Sequence, residues 1–503
     1  MLARIYAGTI VGLHGVLVEV EADVAGRGFP TFTIVGLPNK AIDEAKDRVR
    51  TSITNAGYEM PDSRITVNLA PADVPKAGSA FDLAIALGIL AASGIIDQKF
   101  VSNAMFVGEL SLEGHVRKVS GIISLLLLAK DQGIKKIFIP AANISEAALI
   151  SDLNIYPVES LTTLLLHLEG KKIIKQFEGS VLNDQEESIE FFQDFSEIQG
   201  QEFAKRALEI AAAGFHNVHL KGSPGAGKTL LSRSFPSILP RMNKEEILEV
   251  AKIYSVIGDL KKNIFLGIRP FRSPHHTTSK NGLIGGGSIP VPGEISLAHR
   301  GVLFLDEFPE FPRAVLESMR QPIEDGLVTI SRAAGSLTYP ARFLLLAASN
   351  PCPCGYFGHP TRACVCAAGM VGKYQKRLSG PLLDRIDIHL DVPPVDVEKL
   401  SSVPTGENSV AIRARVMKAR ELQKKRFVDT KLQFNSEMNS SDVRKLCEIE
   451  PDAHQLLKRA VDKLSLSARS YFKIIKVAQT IADIGTYKKI EQIHIAEALQ
   501  YRQ

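Results

Sequence analysis

The run Gly222-Ser223-Pro224-Gly225-Ala226-Gly227-Lys228-Thr229 constrains the fold of this 503-residue chain more than any other feature. It follows the apolar segment Val218-His219-Leu220 and leads into Leu230-Leu231. Glycines at both ends let backbone N–H groups converge on phosphate oxygens at a helix N-terminus. Lys228 is then placed for the β and γ phosphates, and the Thr229 hydroxyl for Mg2+. A strand, a phosphate-binding loop and a helix in that order require an α/β sheet with its ligand at the carboxyl edge.

Two further segments fit the same sheet. Gly301-Val302-Leu303-Phe304-Leu305 is continuously apolar, as a buried parallel strand is, and ends in Asp306-Glu307. It resembles a Walker B strand, in which Asp306 holds Mg2+ through water and Glu307 polarises the attacking water. Phe343-Leu344-Leu345-Leu346-Ala347-Ala348 delivers Ser349-Asn350, where an AAA+ ATPase places its sensor-1 amide. Three strands that each end in a polar group at one edge imply ATP hydrolysis.

The composition, 45% hydrophobic and 23% charged, supplies material for two or three domains. A formal charge of +5 is too small for this length to argue for nucleic acid, so any DNA-binding surface must be local. Gly8, His14 and Glu19 break up the N-terminal segment, so no secretion signal is expected. The longest apolar run, Leu83 to Ile96, is about 14 residues, short of the roughly 20 that span a bilayer. No membrane association is expected. A cytoplasmic location follows, with the five cysteines reduced or metal-bound rather than paired.

Residues 1–170 mix alternating strands (Leu17 to Val24, Arg64 to Leu69) with amphipathic helices such as Lys40 to Gly57, an α+β pattern. Val74 to Leu83, Phe106 to Leu110 and Ile137 to Pro140 resemble landmarks of the Lon-protease fold (S5 domain 2-like). The chemistry does not follow. Four positions after Lys76 stands Ala80, with Ser79 one residue early, and the position of the downstream catalytic lysine falls on Ile123. A serine–lysine dyad needs both partners within hydrogen-bond reach, so this domain is expected to be catalytically degenerate, serving assembly or facing DNA.

Residues 171–193 lose periodicity around an acidic centre and are expected to be a linker. Residues 194–394 are expected to be the ATPase core and 395–503 a helical lid. Asp194 to Gln201 resembles the opening segment of AAA+ motors, which implies that Ile198 and Gly200 line the adenine pocket. In the lid, Leu466-Ser467-Ala468-Arg469 matches a sensor-2 pattern, so Arg469 is expected at the γ-phosphate, coupling it to lid angle.

Pro292 to Glu307, Asn350-Pro351-Cys352-Pro353-Cys354-Gly355 and Leu378 to Asp387 together resemble the bacterial Mg-chelatase-like AAA+ family, and all three regions occur in the right order. The resemblance implies a hexameric ring helicase that drives branch migration while transforming DNA is integrated. Ser349, Lys473 and Gln479 depart from the residues usual in that family. By the same resemblance Arg385 is an arginine finger supplied in trans, an effect worth about 10³ to 10⁵ in rate in other NTPases. Arg377 is a competing finger, and an intramolecular Arg385–Asp387 pair is the plain alternative.

The insert from Arg269 to Lys280, ending in Gly285-Gly286-Gly287, resembles the helix-2 insertion of this motor branch. It offers Arg272 and Lys280 to DNA phosphates, single-stranded or branched. His275-His276 has no acid or thiol at ligand spacing, so no metal is expected there. Leu327 to Tyr339 alternates about a small-residue turn and reads as a hairpin whose Arg332 enters the ring channel. Cys352, Cys354, Cys364 and Cys366 form two Cys-x-Cys pairs nine residues apart, either a Zn2+ site or a tight loop of reduced thiols. Alternatives to the DNA motor are a tetrapyrrole-directed Mg-chelatase motor and a regulatory ATPase that remodels a protein partner.

Overall fold

The structure, a computed structural model, describes residues 1–26, 29–36, 42, 44–74, 76, 78–179, 193–287, 290–332, 335–394 and 406–502. The centre of the expected linker, the first residues of the expected lid and the turn Ala333-Ala334 lie outside them. The chain divides into two units, Met1–Gln185 with Lys244–Leu266, and Glu186–Asn243 with Gly267–Gln503.

In the first unit the alternation of Ile5 and Ala7 with Val18, Val20 and Ala22 builds an antiparallel hairpin, Leu2–Val11 against His14–Val24, whose inner face is buried. Arg64–Ala70 and Thr31–Val35 extend it on one side. Ala104–Phe106, Lys136–Pro140 and Asn154–Val158 add parallel strands on the other, giving seven in all. Helix Asp82–Ala92 is apolar on every side and correspondingly buried along its whole length. Its one charge, Asp82, accepts from Nε and Nη2 of Arg48 at 2.7 and 3.2 Å and from the Leu110 N–H at 3.2 Å. Ser79 donates to Glu109, and Lys76 to the carbonyl of Pro71. Ser79 and Lys76 thus each donate to a group other than one another.

Helices Lys244–Ile257 and Lys262–Phe265 belong to this first unit. The Gly121 N–H donates to the Ser255 carbonyl at 2.7 Å, and the Ser255 hydroxyl to the buried Glu146 at 2.5 Å. The block expected over 194–394 is therefore continuous in sequence but not in space. The apolar face of Ile247, Val250, Ala251 and Tyr254 finds its cover in the first unit.

The second unit is built on a five-stranded parallel sheet in the order Phe271–Arg272, Val302–Leu305, Leu344–Ser349, Val218–Gly222, Ile388–Val392. Val302–Leu305 and Leu344–Ser349 are buried throughout, as strands of a parallel sheet covered on both faces are. The three functional strands lie side by side in the middle. Among the described residues five α-helices follow the last strand: Ser409–Arg426, Ser440–Leu446, Pro451–Leu464, Ala468–Ile484 and Gln492–Gln500. Arg420 donates to the Ala212 carbonyl and Arg206 pairs with Glu497 at 2.8 Å, fastening the helices to Glu202–Gly214. Among the described residues no helix is long and apolar enough to cross a membrane.

Candidate nucleotide site

The phosphate loop leaves the sheet between Gly222 and Lys228. Gly222 has no room for a side chain, since a Cβ would lie 2.4 Å from the Val392 carbonyl oxygen, and Gly225 and Gly227 hold φ of +79° and +88°. Lys228 Nζ donates to the carbonyls of Gly222 (2.7 Å) and Ser223 (2.9 Å) and to Asn350 Oδ1 (3.2 Å). Burial pushes its pKa down. Thr229 Oγ1 donates to Asp306 Oδ2 at 2.9 Å, so the two groups expected at Mg2+ already meet. Ser223 Oγ is buried with no hydrogen-bond partner among the described residues. A cradle of backbone N–H groups with an orphaned hydroxyl, a cation and a hydroxyl–carboxylate pair fits a nucleoside triphosphate and Mg2+. The ion, when bound, neutralises charge on the phosphates.

Gln201 Nε2 reaches the Ala226 carbonyl of the loop at 3.2 Å and the Pro393 carbonyl at 2.6 Å, and Gly200 holds φ of +64° next to buried Ile198. The opening segment is thereby brought to the phosphate loop. Glu307 follows Asp306 with φ of +50°, a left-handed conformation rare for a glutamate. Its carboxylate lies 2.9 Å from His276 Nδ1. The acid missing beside the histidine pair in sequence is thus supplied by Glu307, just after the next strand.

Behind the loop, His219 Nε2 lies 2.8 Å from Ser349 Oγ and tilts edge-on to His389, 5.8 Å away. Burial pushes His219 down to about 3 and His389 down to about 4. Both stay neutral in the fold, whereas in the unfolded chain they protonate near the usual 6.5. Their contribution is complete above pH 6.5 and is lost as pH falls, by roughly 1.4 kcal/mol per pH unit for each. The unfolding temperature of the full chain is therefore expected to fall between pH 6.5 and 5. The slope should be shallower in His219→Gln, and equal slopes would exclude this origin.

Arg385 and Arg469 lie elsewhere. Val218 pairs in register with Ile388 and Gly222 with Val392, so Arg385, just ahead of Ile388, sits at the amino edge of the sheet. The phosphate loop follows the carboxyl edge, about 16 Å away along a five-residue strand. Arg385 Nη2 donates to Glu324 at 2.7 Å, and Arg469 donates to the other oxygen of the same carboxylate. Burial pushes Glu324 up, but Arg385 and then Arg469 outweigh it and hold its pKa low. Arg469, expected at the γ-phosphate, is thus placed in this chain with Arg385 on Glu324, at the amino edge. Its helix, Ala468–Ile484, is anchored at the amino edge by Lys473, 2.8 Å from Asp387. The Arg385–Asp387 alternative also falls, because Asp387 is taken by Lys473 and by His216 at 3.2 Å. Arg377 pairs with Glu310, in the turn after Glu307.

The segments expected to meet DNA are brought together. Arg272, however, lies in a sheet strand and is clamped by Glu294 at 2.6 and 2.7 Å, so its guanidinium is engaged within the chain. Lys280 opens the exposed helix Lys280–Ile284. Strands Leu327–Arg332 and Gly335–Pro340 form the expected hairpin. Val328, Ile330 and Tyr339 are buried on one face, and Thr329, Ser331, Ser336 and Thr338 are exposed on the other. Tyr339 Oη donates to the Pro290 carbonyl at 2.7 Å, and a Cβ on Gly286 would meet the Arg332 guanidinium at 3.1 Å. Hairpin and insert are one surface.

The four cysteines converge as well, with every pair of sulfurs within 4.8 Å. The Tyr356 N–H pulls the Cys354 thiol down to about 6.

A parallel sheet carrying a phosphate loop, an Asp-Glu strand end and a sensor amide on adjacent strands, followed by a helical lid, defines an AAA+ ATPase. The comparisons refine this. Residues 194–400 match the family described as magnesium chelatase, subunit ChlI; residues 20–143 match subunit ChlI of Mg-chelatase, and 406–502 its C-terminal region. Competence protein ComM of Haemophilus influenzae is 42% identical over 507 residues, covering 100% of this chain and 97% of that protein. YifB of Escherichia coli is 41% identical over 504 residues, with coverage of 100% and 97%. The magnesium-chelatase subunit ChlI of Euglena gracilis is 23% identical over 296 residues, 54% of this chain and 74% of that one. The chain belongs to the ComM/YifB family of magnesium-chelatase-like AAA+ ATPases.

Proposed function

We propose that this chain is a cytoplasmic DNA motor, a hexameric ring that hydrolyses ATP to move along single-stranded or branched duplex DNA. Its task on this reading is branch migration during recombination of incoming DNA. The relative ComM bears the name of a competence protein, which agrees with that task. A Zn2+ on the four thiolates completes the cofactor set of ATP and Mg2+.

The observation that carries the DNA reading is the outer face of the hairpin. Between Leu327 and Pro340 there is no acidic residue; the exposed face carries hydroxyls, with Arg332 at its tip and the helix of Lys280 alongside. Hydroxyls and cations without carboxylates suit a phosphate backbone and read no sequence. Ring assembly is supported by Arg385 and Arg469, which lie too far from their own phosphate loop and are available only to a neighbour's. In that arrangement Lys228 and Thr229 hold the triphosphate, Asn350 and Glu307 orient and deprotonate water, and the neighbour's Arg385 offsets charge as the bond to the γ-phosphate breaks.

The test is ATP turnover with and without DNA, and branch migration of a synthetic four-way junction. DNA is expected to stimulate turnover in wild type. The Lys280→Ala, Arg332→Ala double variant should lose most of that stimulation, bind all sequences more weakly, and show a salt slope smaller by about 2. Turnover indifferent to DNA in wild type would remove DNA as the track and favour remodelling of a protein partner.

A further inference from the structure

The stretch after Asn350 has almost nothing apolar to hold it. Between Cys352 and Cys366 only Cys352 and Gly355 are buried, while Phe357 and Val365 are 51% and 83% exposed. No helix or strand runs through it. Yet the two arms meet at their cysteines: Sγ of Cys352 lies 3.4 Å from that of Cys354 and 3.7 Å from that of Cys364, and Cys354 lies 3.5 Å from Cys364. A disulfide would bring two sulfurs to about 2.05 Å. Four sulfurs around one tetrahedral Zn2+ at about 2.3 Å stand about 3.8 Å apart, close to what is found. The Phe357 N–H donates to Cys352 Sγ at 3.3 Å, so the backbone also turns toward the sulfurs.

The closed loop touches the nucleotide site twice. It continues directly from Asn350, whose side-chain oxygen accepts from Lys228. At its tight turn Gly355, with φ of +84°, lies against the phosphate loop so closely that a Cβ would come within 2.4 Å of Pro224 Cδ. We propose that Cys352, Cys354, Cys364 and Cys366 hold one Zn2+, and that this knuckle presses Gly355 onto Pro224, so that metal occupancy sets the shape of the phosphate loop. Each thiol gives its proton to water as the metal binds, and no electron is transferred. The coupling rests on the ATP reading above; the metal site does not.

The experiment uses full-length protein purified under reducing conditions without chelator. Metal content is measured by mass spectrometry, and affinity for a fluorescent ADP analogue is measured before and after metal is stripped with a mercurial and chelator under re-reduction. About one zinc per chain is expected, with affinity falling about tenfold or more on stripping and returning with zinc. Cys364→Ser should lose the metal. Gly355→Ala should keep it and still bind the analogue about tenfold more weakly, which separates the contact from folding of the loop. Absence of zinc from fresh reduced protein would overturn the site. Unchanged affinity in stripped protein and in Gly355→Ala would overturn the coupling. Zinc-replete protein that binds no nucleotide would overturn the ATP reading and the coupling with it, leaving the metal in place.

Discussion

Mixing Lys228→Ala subunits with Arg385→Ala subunits is expected to restore ATP turnover that neither variant supports alone. Lys228 contacts the phosphate loop of its own chain, and its loss should abolish productive binding. Arg385 stands at the opposite edge of the same sheet, on Glu324, and its loss should lower turnover by about 10³ to 10⁵ without weakening nucleotide binding to the same chain. In a mixed ring, some interfaces pair an intact phosphate loop with an intact arginine, and those should turn over. Failure of the mixture to exceed the sum of its parts, with subunit exchange demonstrated, would place both residues in one chain's site and remove the trans arrangement. Arg469→Ala should behave like Arg385→Ala in this assay, because the two guanidiniums share one carboxylate.

Glu307→Gln is expected to cut turnover by about 10² to 10⁴ while leaving ATP binding intact. The carboxylate touches none of the groups that hold Lys228 or Thr229; its neighbour is His276, at 2.9 Å, and a glutamine can keep that contact. The variant should therefore retain ATP and assemble with it, visible as co-purifying nucleotide and a larger particle. Equal loss of binding and turnover would assign Glu307 to the phosphate cradle instead of to the water.

The parts of this site that could be read in sequence are those written in consecutive residues. Gly222 to Thr229, Val302 to Glu307 and Leu344 to Asn350 each carry strand, edge and functional group in one run, so their meeting at one sheet edge follows from parallel packing alone. The parts that could not be read depend on partners far away in the chain. Arg272 looked available until the structure paired it with Glu294, 22 residues on. Arg469 matched a motif, but its destination is decided by Glu324, 145 residues earlier, and by the edge at which Lys473 and Asp387 anchor its helix. His276 carried only a weak signal, a histidine in the turn after the strand beside the acidic one, and only sheet order reveals that its neighbour is Glu307. The convergence of the cysteines was a matter of spacing and was legible.

The polypeptide passes from one unit to the other at residues 185/186, 243/244 and 266/267, three crossings in place of one. Neither can be excised cleanly. A chain trimmed to begin at Asp194 would expose Ile247, Val250, Ile253 and Tyr254 to water, each worth about 1.5–3 kcal/mol of burial, and the remnant Met1–Gln185 would lose the cover those side chains provide. Residues 244–266 complete the fold of the first unit although they lie, in sequence, inside the ATPase block, so no deletion of one contiguous segment removes one unit and leaves the other whole.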